Sequence, residues 1–282
     1  MDSYHNRVND QDFLSNQAIA ISISESADLA ILGLAPEHLQ DAMAEVARYL
    51  LANGARLLYG GDLRPEGFTE VLFELVARHR RDAQASDTQL GVTNYLAWPV
   101  HVGMPTEQVD LLATALEGLA NIEYLDMVGA SMSPNKRQRP QEATAREWHQ
   151  GLTTMRQRML QDSTARIILG GTTSGFKGIM PGVAEEALLS LSRRQPLFVL
   201  GGFGGCTRLI AASLGLLQEQ ATAAWPYTQA FSAFTDESLY NGLTAEENRT
   251  LAQTVHIDQA ITLILRGLLR SQEQSGNGDR QA

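Results

Sequence analysis

The sequence predicts an α/β protein: a Rossmann-like three-layer sandwich with a mainly parallel central sheet. Three observations predict it. Short apolar runs alternate with helix-length amphipathic segments from one end to the other. Several of those runs are almost uninterrupted, as strands covered on both faces are. Three of them end in a glycine doublet, at 60–61, 170–171 and 201–202, just where a strand hands over to the next segment. In a parallel sheet those ends share one rim, and ligands bind beyond it.

The elements follow in order. Ala18–Ser24 is a short, mostly apolar strand ending in the polar run Ser22, Ser24, Glu25 and Ser26. Pro36 suits a first helical position. Leu39, Ala42, Met43, Val46, Tyr49 and Leu50 then recur at helical spacing until Asn53-Gly54 stops them. Arg56–Tyr59 is a second strand, and Gly67-Phe68-Thr69 opens a helix carrying Val71, Leu72, Leu75 and Val76. Leu90–Trp98 is a third apolar run, and 105–120 reads as helix. Residues 130–141 form a basic loop, and 142–162 are helical again. Ala165–Leu169 is a strand, Pro181–Ser192 a helix, Pro196–Leu200 a strand and Thr207–Gln220 a helix. Residues 244–271 hold one or two more helices. No linker or repeat divides the chain. The expected organisation is a flexible arm over 1–16, one domain with a helical appendage over 17–272, and a disordered tail over 273–282.

Composition excludes several classes. The chain has 282 residues, 44% apolar and 19% charged, which is globular usage and not that of a disordered chain, a collagen or a coiled coil. Its 22 basic and 32 acidic residues leave a net charge of −10. That disfavours nucleic acid and anionic membrane surfaces, which need a positive field. A small anion held by backbone N–H groups is still compatible. The single cysteine, Cys206, excludes an intrachain disulfide and a four-cysteine zinc site. The six histidines show no metal spacing, so neither a metal nor a cofactor is expected. Met1–Asn16 is polar and no 18-residue apolar run exists, so a soluble cytoplasmic protein is expected.

The candidate ligand residues cluster at the strand ends. Gly201, Gly202, Gly204 and Gly205 precede a helix, where free N–H groups and the helix dipole favour a phosphate. Glycine there either lets a ligand approach or only makes a tight turn. The run is neither a Gly-x-Gly-x-x-Gly fingerprint nor a Walker loop. Lys177, in a glycine-containing loop before Pro181, either meets a phosphate or is a solvated lysine. Arg208 can clamp a phosphate in two-point fashion. Ser24, Asp62 and Glu186 are candidates for sugar or base contacts, with capping and dipole roles as the alternatives. Cys206 reads as a small packed thiol.

The runs Ile21–Leu29, Tyr59–Glu70, Gly175–Ala187 and Gly201–Gly205 together resemble the SLOG superfamily, the Rossmann-like group containing the Smf/DprA proteins and the LOG nucleotide hydrolases. Within it the chain is most similar to bacterial SLOG domains joined to TIR domains, and more distantly to the sensor region of melastatin-type TRP channels. The resemblance covers about 17–215. It implies binding of an NAD-derived nucleotide such as ADP-ribose or a cyclic ADP-ribose, in antiviral defence. It also implies a separate effector or TIR protein as partner, and a homo-oligomer. Ser22, which caps the next element or touches ligand, and the doublets Gly60-Gly61 and Gly170-Gly171 are expected contacts from their places at the strand ends; the resemblance adds Glu25, Gly67, Phe68, Thr69, Gly178, Gly182 and Phe203. The alternative is a LOG-type N-glycosidase. LOG enzymes resemble Pro-Gly-Gly-x-Gly-Thr-x-x-Glu, whereas Leu200–Arg208 places Gly205 at the Thr and Arg208 at the Glu. A permanent guanidinium cannot replace that carboxylate, although Glu25 or Glu186 is open to the role.

Overall fold

The structure is a computed structural model that describes residues 13–61, 67–82, 91–118, 120–133, 136, 141–218 and 225–278. Six strands form its sheet: β1 (Ala18–Ser24), β2 (Arg56–Tyr59), β3 (Val92–Leu96), β4 (Ala120–Tyr124), β5 (Ala165–Gly170) and β6 (Leu197–Leu200). Their order is β4-β3-β2-β1-β5-β6, and every pairing is parallel. This is the Rossmann-like α/β architecture that the alternation of segments predicts.

Side chains alternate between the two faces of each strand. On one face Ile19, Ile21 and Ile23 pack with α1 (Pro36–Ala52), α2 (Phe68–Asp82), α9 (Ala245–Gln253) and α10 (Ile257–Gly278) through residues such as Leu39, Met43, Leu72, Leu251 and Ile264. On the other face Ala18, Ala20 and Leu58 meet Met155 and Met159 of α5 (Ala145–Asp162). There too Ile168 and Val199 meet α6 (Gly182–Ser192) and α7 (Gly205–Ser213).

Local signals place the helix starts. Pro36 is the first residue of α1, and His38 Nδ1 accepts a hydrogen bond from the Ala35 N–H at 2.9 Å. Thr144 and Glu147 cap α5 reciprocally.

The structure revises several boundaries. Within 90–98 only Val92–Leu96 is strand, and Trp98-Pro99 begins the short α3 (Trp98–Val102). The helix expected over 105–120 ends at Ala115 as α4 (Thr106–Ala115), and Ala120 starts β4. β4 is an edge strand whose Asn121, Ile122 and Glu123 are half-buried, so it lacks the apolar run that marks the central strands. α7 ends at Ser213, ahead of Gly215 at φ 74°. A further turn of helix, α8, covers Thr228–Phe231. Residues 244–271 resolve into two helices, α9 and α10. α10 runs on to Gly278, into the segment expected as a tail. Leu14, in the expected arm, is fully buried, and its N–H donates to Asn53 O at 2.9 Å. Most of the basic loop over 130–141 lies outside the described residues.

Candidate functional site

From β1 the chain steps outward through β2, β3 and β4, then returns to β5 on the other side of β1. The segments leaving β1 and β5 therefore part to opposite faces, toward α1 and α6. Such a switch point opens a crevice at the carboxyl ends of the strands. The three glycine doublets all lie on this rim. Ser24 pairs with Gly170, Leu169 with Leu200 and Ile21 with Tyr59, so Gly60, Gly170 and Gly201 each sit where their strand ends.

Backbone contacts tie these strand ends together. Gly171 N–H donates to Ser24 O at 2.9 Å, and Thr172 N–H donates to Ser24 Oγ at 3.0 Å. Cys206 N–H donates to Gly171 O at 2.7 Å, tying the start of α7 to the end of β5. The loop after β5 then carries Lys177 outward. Its Nζ lies 3.8 Å from the centroid of the Trp148 ring on α5, a cation–π contact. Phe176 packs edge-on to Tyr227, with centroids 6.1 Å apart. Lys177 is exposed, and Phe176 and Tyr227 are half-buried.

The start of α7 is an anion nest. Gly204 and Gly205 are consecutive residues at φ 73° and 63°, a left-handed region that a side chain strains. One N–H there meets the Asp28 carboxylate: Gly205 N–H donates to Asp28 Oδ1 at 2.7 Å, and Ser26 Oγ donates to the same oxygen at 3.3 Å. A Cβ on Gly204 would lie 2.4 Å from that oxygen. The nest thus already holds a negative group from the loop after β1.

Beneath the rim, between the sheet and α5–α6, lies a buried chain of charges. Arg166 is fully buried. Its Nη1 donates to Ser22 Oγ at 2.7 Å and to Glu186 at 3.0 Å, and its Nε donates to Ser190 Oγ at 3.1 Å. Arg156 donates to Glu185, which also accepts from Thr153 Oγ1 at 2.5 Å. Burial pulls the Arg166 guanidinium below its ordinary pKa, the Glu186 charge opposing. Cys206 is also buried, and burial pushes its thiol up to about 12, as for an inert packed cysteine.

The expected contact residues therefore fall into three sets. Ser24, Glu25, Gly60, Gly61, Gly67, Phe68, Lys177 and Arg208 reach the surface at least in part. Gly204 and Gly205 meet the Asp28 carboxylate, and the remaining residues serve the fold. Ser22 and Glu186 belong to the buried charge chain, so the sugar contact expected of Glu186 is not made available. Phe203 is in the core, and Thr69 is buried. A Cβ on Gly202 would lie 2.2 Å from Thr254 O, and one on Gly201 would lie 2.8 Å from Ala252 O. Those two glycines admit the end of α9, not a phosphate. Gly178 and Gly182 leave room for the Arg156 guanidinium, Gly170 for Leu39 and Gly171 for Val183; half-buried Gly60 also leaves room for Met159. Asp62 lies outside the described residues.

Asp28, Trp148, Arg156, Arg166 and Tyr227 were not among the expected site residues. An arginine inside an otherwise apolar strand is itself a signal for Arg166, since a buried guanidinium needs partners. An acidic residue four positions beyond the end of β1 is the corresponding signal for Asp28. Among the described residues no group of three His, Cys, Asp or Glu side chains is placed to hold a metal, and no helix is long and apolar enough to cross a membrane.

A family model described as SLOG cluster2 matches residues 13–248. No curated protein matches the sequence. Among solved structures, the crystal structure of the structural-genomics target TM1055 is similar over 69% of this chain and 80% of its own. The identity is 16% and the TM-score 0.38.

Proposed function

Because the chain belongs to the SLOG cluster2 family, we propose that it binds an NAD-derived nucleotide, of the ADP-ribose or cyclic ADP-ribose type, along the carboxyl rim of its sheet. The family and its fold indicate nucleotide-related binding or hydrolysis. One observation carries the choice of binding. The Gly204–Gly205 nest at the start of α7 already takes an anion, with its N–H 2.7 Å from a carboxylate oxygen. Backbone N–H groups at a helix start suit a phosphate in the same way. Lys177, held over the Trp148 ring, supplies a cation on the same rim. Ser24 and Glu25 stand at the switch point, where ribose hydroxyls find acceptors. Hydrolysis of the LOG kind is disfavoured, because Arg208 stands where the assisting carboxylate belongs and Glu186 is engaged with Arg166 at 3.0 Å. A bound nucleotide acts here as a signal in antiviral defence, relayed to a separate effector.

Calorimetric titration with ADP-ribose, NAD and cyclic ADP-ribose isomers tests this. At least one produces saturable heat, and Lys177→Ala weakens it by about 5- to 10-fold, the worth of one charge-assisted contact. Absence of heat with all of them on folded protein overturns the proposal. Chromatography of the same mixtures after overnight incubation shows intact nucleotide; release of base would favour the hydrolase.

A further inference from the structure

The amino ends of β5 and β6, opposite the glycine rim, border a cleft of about 680 Å³ beside the last turns of α5 and α6. That volume is ordinary for a small-molecule site. Half-buried Leu160 and Leu189 give the cleft apolar surface, and Gln157, Gln161 and the consecutive pair Arg193-Arg194 give it hydrogen-bond donors. Among the described residues no Asp or Glu lines it, although acidic residues outnumber basic ones in the chain by 32 to 22. Both arginines are exposed, and among the described residues neither forms an ion pair.

The backbone places this pair at a conformational cost. α6 ends in a Schellman turn: Gln195 N–H donates to Ser190 O at 2.9 Å, and Arg194 N–H donates to Leu191 O at 3.1 Å. Arg194 takes the left-handed position of that turn, at φ 54°, where glycine is unstrained and a side chain is not. Tyr240, at φ 49°, is the other non-glycine residue at positive φ among the described ones, and its ring is the one Arg194 meets, with the guanidinium carbon 6.0 Å from the centroid. Strained residues of this kind gather at sites that hold ligands. A cation after α6 also suits the negative end of a helix, but Arg193 alone fills that role, and it asks for no side chain in the glycine position. The segment is also fixed from within. Gln195, which lines the cleft, donates through Nε2 to Ser163 O at 2.8 Å, and its Oε1 accepts from Ser190 Oγ at 2.8 Å. Ser190 Oγ in turn accepts from the buried Arg166 Nε at 3.1 Å. The two arginines thus project from a turn tied to the end of α5 and to the buried charge chain.

We propose that this cleft is a second ligand site, separate from the rim, which takes a small organic oxyanion between the Arg193 and Arg194 guanidiniums. Their planar forks match the paired oxygens of a phosphate or a carboxylate. Gln157 and Gln161, one turn apart on α5, add neutral donors, and the leucines receive a compact apolar body. The cleft begins at Thr164 and the rim at Gly170, so β5 holds the two sites about 20 Å apart. An anion bound here is therefore not the one that the glycine rim would hold, and this site stands whether or not the rim takes a nucleotide.

Phenyl phosphate and benzoate are the probes, titrated into the isotope-labelled full chain and followed by NMR through the arginine Nε–H signals. At least one of them shifts the Arg193 and Arg194 signals saturably and with a common midpoint, and the probe with the lower midpoint identifies the preferred anion. Arg193→Gln and Arg194→Gly each weaken binding by about fivefold or more, the loss of one charge-assisted contact. Arg78→Gln, which removes an exposed charge from α2, changes the midpoint less than twofold. Arg194→Gly also relieves the strained position, so its Tm is unchanged or higher, and weaker binding in that variant is not a failure to fold. Neither probe giving a saturable shift at the two arginines overturns the site. So do midpoints unchanged in both cleft variants, and so does an equal weakening by Arg78→Gln, which would mark a diffuse attraction of charge.

Discussion

Arg166 and Glu186 show how one side chain can mislead when it is read without its neighbours. Glu186 lies early in a helix beside a glycine loop, a place suited to a ribose contact. The fold instead turns it inward, 3.0 Å from a guanidinium with no exposure at all. Removing one partner of a buried pair strands the other. Glu186→Leu is therefore expected to cost about 3–5 kcal/mol, while the double variant Arg166→Met/Glu186→Leu recovers much of that loss. Urea denaturation of the three proteins measures it, and additive losses would contradict the pairing. Lys177 was legible as a cation beside the rim, but its Trp148 partner, 29 positions earlier in the sequence, was not. Asp28 was visible only as one residue of a run that resembles the family. Its role depends on Gly205, 177 positions later.

Helix α9 illustrates what capping chemistry contributes. Glu247 accepts from the Thr244 N–H at 2.9 Å and meets Arg266 and Arg270 of α10 at 2.8 and 2.7 Å. The Thr244 N–H first, and Arg266 after it, hold its carboxyl down to about 2. A carboxyl lowered on folding adds stability above its ordinary pKa, and the gain is lost as pH falls from about 4.5 toward 2. Glu247→Gln, whose amide oxygen still accepts from the Thr244 N–H, is expected to lose about 0.5–1 kcal/mol near neutrality through its two exposed arginine pairs. It should also flatten the acid limb of a plot of Tm against pH over that window; an unchanged limb would remove Glu247 from the account. The central strands were legible because both faces are covered and their apolar runs are unbroken. β4 was not, because an edge strand with half-buried Asn121 and Glu123 resembles the end of the preceding helix. The glycine doublets were legible as a shared rim, yet most of them make room for side chains or carbonyls of other elements. Glycine at a strand end reports a close approach without saying what approaches.

The molecule as a whole depends on its last helix. Ile261, Leu263, Ile264 and Leu268 of α10 are buried against the same core as α1 and β6. Four such side chains contribute about 6–12 kcal/mol, comparable with the roughly 5–15 kcal/mol net stability of a domain. A chain ending at residue 256 is expected to lose its cooperative thermal transition, which calorimetry detects. A sharp transition in that variant would show α10 to be an accessory. From the sequence alone came the α/β class, the central strands, the common rim and the candidate cations, because periodicity and turn chemistry act between residues close in the chain. Tertiary structure decided which glycines reach the surface and which face protein, that Glu186 serves Arg166, and that Asp28 meets the Gly205 N–H. Each of those outcomes is a contact between segments far apart in sequence, and pairing across such distances is set by how the layers pack, not by any local pattern.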